Sequence, residues 1–102
     1  RGERVTGWIP DTICDGLRAE LGPLTFDILR TRRAQILLAS EAEIVAAMRL
    51  LWERLKLVVE PSSAVPLAVV LRHRALFAGR RLGIILSGGN VDLEKLPWLP
   101  GV

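Results

Sequence analysis

The sequence predicts an α/β fold, a partial open sheet with flanking helices, on three observations. Apolar residues recur at helical spacing over about 41–56, the pattern of an amphipathic helix. "AVPLAVVLRH", residues 64–73, is apolar nearly all round and reads as a buried helix. The run from Leu82 to Leu86 has no alternating polar face, as expected of a central strand covered on both sides. Helices alternating with such strands define the class.

Residues 1–22 are rich in Gly, Pro and Asp and read as loop, with one short helical turn around "DTICDGLRAEL". Thr25 to Arg32 reads as a short helix after Gly22-Pro23, with Thr25 as its cap. "AQILLA", 34–39, has the length of a strand. Ser40 and Glu43 have the spacing of a capping box, each able to satisfy the other's backbone amide. Behind them Ile44, Val45, Met48, Leu51, Trp52 and Leu55 mark the inner face of the first long helix, with Arg49, Glu53 and Arg54 outside. "LVV", 57–59, runs into Glu60-Pro61, where a proline suits a helix start. Pro66 then suits the first turn of the second helix better than its middle. A loop across Gly79 to Arg81 leads to the last strand. No internal repeat or low-complexity segment occurs.

A length of 102 residues allows one small domain or a piece of a larger one. Half the residues are apolar and the mean hydropathy is +0.33, high for a small domain with much surface to keep polar. With Arg1 as first residue, these values lead us to expect a piece whose apolar faces meet further chain. No apolar stretch approaches the roughly 18 residues of a spanning helix, and "RGERVTGWIP" lacks a signal-peptide core. No membrane partner is expected. Cys14 is the only cysteine, so no internal disulfide forms, and a reducing, cytoplasmic setting is expected. The net charge is +3, and twelve of the fourteen basic residues are arginines. They lie in short clusters separated by apolar segments, without tyrosines or interleaved aromatics. That argues against a nucleic-acid groove and for solvated helix ends.

Few residues qualify for chemistry. His73, the only histidine, sits between Arg72 and Arg74 and reads as a cation at a helix end. Cys14 has no histidine within sequence reach. Asp11 and Asp15 read as turn and cap residues, and no metal-ligand spacing occurs. Two places resist a purely structural reading. Glu60 follows an apolar segment, where an ionised group needs a partner. "SGGN", Ser87 to Asn90, ends the apolar run Leu82 to Leu86, and ligands of open α/β sheets bind beyond the carboxyl ends of strands. The glycines would let backbone approach a flat or phosphorylated ligand, and Ser87 offers one directional hydrogen bond.

"TICDGL", "LLWERLKLVVEPSSAVPLA" and "GRRLGIILSGGNVDL" resemble the C-terminal third of the serine/threonine dehydratase and serine racemase family. These are pyridoxal-phosphate enzymes of the tryptophan-synthase-β-like fold, also called fold type II. The resemblance runs in order from about Pro10 to Leu93. It implies that residues 1–102 are the C-terminal part of a large cofactor-binding domain. It also implies that Ser87 is the hydrogen-bond partner of the pyridine nitrogen, with Gly88 beside the ring edge and Glu60 near the cofactor. Asp15 and Gly16 match the Asp-Gly pair lining the substrate side, and Gly16 is counted with the cofactor-binding positions. The positions matching Lys56 and Asn90 help bind a nucleotide in the eukaryotic racemase branch. Cys14 stands where the family usually has alanine, and Pro66 where a small residue is common.

The family's Schiff-base lysine, its phosphate-binding glycine loop and its divalent-cation ligands match sequence N-terminal to this stretch. No catalytic residue is therefore expected within residues 1–102. The implied activity is that of an ammonia-lyase or racemase. The missing lysine would remove the α-proton of serine, threonine or hydroxyaspartate, followed by loss of the β-hydroxyl or by reprotonation from the other face. The implied partners are a small hydroxy amino acid, the rest of the same enzyme and a second copy in a homodimer. Two alternatives are a non-enzymatic interaction or regulatory module that kept the fold, and an arginine-rich nucleic-acid binder.

Overall fold

The computed structural model describes residues 2–101. Four helices form among the described residues: α1 (Pro23–Thr31), α2 (Glu41–Leu55), α3 (Pro61–Arg72) and α4 (Arg74–Phe77), with a 3-10 turn at Asp15–Leu17 ahead of α1. The capping box expected at the start of α2 is present. Ser40 Oγ accepts the Glu43 N–H at 3.2 Å, and the Ser40 N–H donates to Glu43 Oε2 at 2.7 Å. That N–H, helped by Arg72, holds the Glu43 carboxyl below the usual carboxylate range.

Ile44, Ala47, Met48 and Leu51 form the buried face of α2 and belong to one core with Ala64 and Ala68 of α3. Small alanines let the two helices approach closely, and Cys14, Val59 and Leu96 complete that core. Val45 and Trp52 are half-buried, while Leu55, expected on the inner face, is exposed. The Trp52 indole N–H donates to the Val59 carbonyl at 2.9 Å, and its ring meets Trp98 edge-on at 5.5 Å. Burial pushes the Cys14 thiol pKa up, with Glu41, Asp15 and Glu60 adding to the effect and a hydrogen bond with Thr12 opposing it.

Lys56 ends α2 in the left-handed conformation, φ 58°. The N–H groups of Lys56 and Leu57 both reach the Leu51 carbonyl, which turns the chain back along the helix pair. Helix α1 starts at Pro23 with Gly22 as its cap residue, so Thr25, the expected cap, lies inside the first turn. Helix α3 starts at Pro61, ahead of the expected residue 64. Pro61 takes the first-turn place where a missing N–H costs nothing, and Pro66 falls mid-helix, forgoing a bond to the Ser62 carbonyl. His73 ends α3 as expected, at the junction with α4, with its Nε2 buried and unpartnered among the described residues.

The expected partial sheet does not form: no strand is present among the described residues. Segments 34–39, 57–59 and 82–86 all lack secondary structure. A strand exists only through a ladder to a neighbour about 4.7–4.9 Å away, and a single bond, Glu60 N–H to the Gly88 carbonyl at 3.2 Å, links two of these stretches at their ends. The faces expected to be covered are open, with Leu38 73%, Ile36 71% and Ile85 81% exposed. The molecule is a slab of 42 × 38 × 19 Å with a radius of gyration of 15.0 Å. A compact chain of this length would have a radius near ~13 Å.

The open faces and the buried thiol each lead to a measurable outcome. Expressed alone, residues 1–102 aggregate or bind a hydrophobic dye; a sharp, reversible, dye-free unfolding transition would contradict the account of the open faces. In the complete polypeptide, Cys14 reacts with a thiol reagent at pH 8 far more slowly than after denaturation, because burial favours the neutral thiol. Equal rates would show that Cys14 is not in the core.

Candidate functional site

Glu60 is the residue before α3, and Ser63 lies in the first turn of that helix. Helix α3 is apolar around most of its surface, so a serine placed on its inner side needs a partner inside the protein. Ser63 is 0% exposed, and its partner is the "SGGN" turn. Its Oγ accepts the Gly88 N–H at 2.8 Å, donates to the Gly88 carbonyl at 2.7 Å and lies 3.2 Å from Ser87 Oγ. The Gly88 carbonyl also accepts the Glu60 N–H. Ser87 itself is exposed, beside a half-buried Gly88.

The two glycines also have a packing role within the chain. A Cβ on Gly88 would lie 2.5 Å from Glu60 Oε1, and a Cβ on Gly89 would collide with the Val58 carbonyl oxygen. Neither glycine has a positive φ. The space they leave is filled by Glu60 and Val58 of the same chain, so their smoothness joins residues 58–60 to 87–89. The Glu60 carboxylate makes no hydrogen bond or ion pair among the described residues.

The Asp15-Gly16 pair reaches the same corner. The Gly16 N–H donates to Ser62 Oγ at 3.0 Å, next to Ser63 at the start of α3. The loop before it is held on α2, where the Glu41 carboxylate accepts from Thr12 Oγ1 and, at 3.2 Å, from the Ile13 N–H. Asp15 is exposed and lines a cleft of about 240 Å³ with Pro61, Asn90 and Lys95. Lys56 does not line this cleft. Its Nζ donates to the Glu53 carbonyl at 2.7 Å, capping α2.

The structure thus brings Glu60, Ser87, Gly88 and, through Ser62, Gly16 and Asp15 around the N-terminus of α3. Sequence reading misses Ser62 and Ser63, which look like no more than the polar start of a helix. The available signal is that a helix with almost no polar face must account for every hydroxyl it buries. Chemically, the corner offers an exposed neutral hydroxyl at Ser87 and, at Glu60, a carboxylate unpaired among the described residues. Both are mounted on a buried polar joint.

The joint predicts unequal costs for the two glycines in the complete polypeptide. Gly88→Ala meets the movable end of a side chain and lowers stability little. Gly89→Ala meets backbone and lowers it by about 1–3 kcal/mol, read from denaturant midpoints. The reverse order would contradict the packing described.

Comparison with known proteins places the chain in a family. A family profile described as pyridoxal-phosphate dependent enzyme matches residues 1–88. β-Hydroxyaspartate dehydratase of Paracoccus denitrificans (strain Pd 1222) is 53% identical over 89 residues, covering 87% of this chain and 28% of that protein. Serine racemase of Dictyostelium discoideum is 45% identical over 89 residues, covering 85% of this chain and 28% of that protein. The crystal structure of the T.th. threonine deaminase superposes with a TM-score of 0.79 at 47% identity, over 88% of this chain and 29% of that one. The chain therefore spans 28% of the length of these two curated relatives. No helix among the described residues is long and apolar enough to cross a membrane. With its profile match covering most of its length and a solved relative sharing its fold, the chain belongs to the fold-type II family of pyridoxal-phosphate-dependent enzymes.

Proposed function

We propose that residues 1–102 form the C-terminal part of the large cofactor-binding domain of an ammonia-lyase or racemase acting on a small hydroxy amino acid. The relatives' names, a hydroxyaspartate dehydratase, a serine racemase and a threonine deaminase, supply the substrate class. The observation that carries the reading is Ser87. It is an exposed hydroxyl whose position is set by a buried serine, and its one side-chain partner is a long 3.2 Å contact. Such a hydroxyl fits the nitrogen edge of a flat heteroaromatic ring.

Bound there, pyridoxal phosphate supplies the electron sink for charge developing at the substrate α-carbon. Ser87 holds a neutral hydroxyl toward the ring nitrogen. A hydroxyl does not force a proton onto that nitrogen as a carboxylate would, which favours elimination or racemisation over transamination. Glu60 and the Gly88 backbone flank this hydroxyl, and Asp15 with Gly16 faces the substrate side. On this reading, segments 34–39, 57–59 and 82–86 become strands when the rest of the enzyme supplies their neighbours. The homodimer and the cytoplasmic setting belong to the same reading.

The complete polypeptide should release ammonia from serine, threonine or hydroxyaspartate, or racemise serine, only when loaded with pyridoxal phosphate. Ser87→Ala weakens cofactor affinity by about 0.5–1.5 kcal/mol without unfolding the protein. Ser87→Asp stabilises a protonated ring nitrogen, shifts the cofactor's absorption and raises the transamination side product. Wild-type spectra, affinity and product ratios in both variants would remove Ser87 from the ring.

A further inference from the structure

We infer that Ser63 is the positioning residue of Ser87: it fixes the backbone that carries this hydroxyl and holds the hydroxyl proton in a weak resting bond until the ring nitrogen takes it. The argument is an inventory of protons. A serine hydroxyl has one proton and two lone pairs. Ser63 Oγ lies within hydrogen-bond distance of three groups: the Gly88 carbonyl at 2.7 Å, the Gly88 N–H at 2.8 Å and Ser87 Oγ at 3.2 Å. The carbonyl can only accept, so it takes the one Ser63 proton. The amide can only donate, so it takes one lone pair. What remains for Ser87 is the second lone pair, and in this pair Ser87 is therefore the donor.

Two consequences follow for Ser87. Its proton has a resting acceptor, which fixes the hydroxyl rotor. That bond is longer than the usual O–H···O separation of about 2.7–2.8 Å, so it yields readily to a better acceptor. A neutral ring nitrogen is such an acceptor. Ser63 also grips Gly88 by both its N–H and its carbonyl, which fixes the peptide planes on either side of that glycine and hence the backbone that carries Ser87. Being 0% exposed, Ser63 exchanges none of these bonds with water. It acts through Ser87 and Gly88.

The inference rests on the reading of Ser87 as the ring-nitrogen partner, and the test separates the two. In the complete holoenzyme, pyridoxal 5′-phosphate affinity and the absorption of the bound cofactor across pH are measured for Ser87→Ala, Ser63→Ala and the double variant. Ser87→Ala weakens affinity by about 2–10-fold. Ser63→Ala is expected to weaken it about 3-fold and to move the absorption in the same direction. The double variant is then expected to be no worse than Ser87→Ala alone, because the two side chains act as a unit. If Ser87→Ala has its effect but Ser63→Ala leaves affinity and spectrum unchanged, or the two effects add in full, the inference fails and the reading of Ser87 stands. If Ser87→Ala has no effect, both fail. Should Ser63→Ala not accumulate as folded protein, Ser63→Cys takes its place in the cycle, since a thiol is a weak donor and acceptor of similar size. The same outcomes then decide.

Discussion

The buried hydroxyl of Ser63 joins the two halves of this chain. It satisfies both backbone groups of Gly88 at once and so binds the turn after Leu86 to the N-terminus of α3. A polar group with no access to water costs several kcal/mol if unpaired. That penalty makes the joint specific: a shift in register of either segment would strand the serine, the glycine amide or the glycine carbonyl. Glu60, Ser87 and, through Ser62, Gly16 take their places around this joint.

The α2–α3 pair supports it. Alanines on α3 bring the helices close, and the Trp52 indole anchors Val59, the residue before Glu60, by its carbonyl. The loop carrying Asp15 is tethered to the start of α2 through Glu41 and to the start of α3 through Ser62. The N-termini of α2 and α3 thus hold the loop carrying Asp15 beside the Glu60 and "SGGN" segments. Apolar side chains along segments 34–39 and 82–86, among them Ile36, Leu38 and Ile85, are exposed.

The chemistry at this corner is set by charge placement. Ser87 presents a directional hydrogen bond with no formal charge, and the Glu60 carboxylate sits over Gly88. The glycine pair makes room for the carboxylate and for the Val58 carbonyl. It is the means by which residues 58–60 pack against residues 87–89.

Local interactions were legible in the sequence. The capping box at Ser40 and Glu43 and the amphipathic face from Ile44 to Leu51 follow from contacts a few residues apart, and the motifs around Glu60 and the "SGGN" turn are specific enough to name a family. Leu82 to Leu86 illustrates the limit. Its apolar run reads as a buried strand, but a strand needs a partner, and residues 2–101 supply none. Ser63 lay beyond reach for a related reason. Its three partners are 24 and 25 residues away in sequence, so no local pattern distinguishes it from Ser62 beside it. Only the packing of α3 against the returning chain decides which hydroxyl is buried, and burial turns an ordinary serine into the joint of the site.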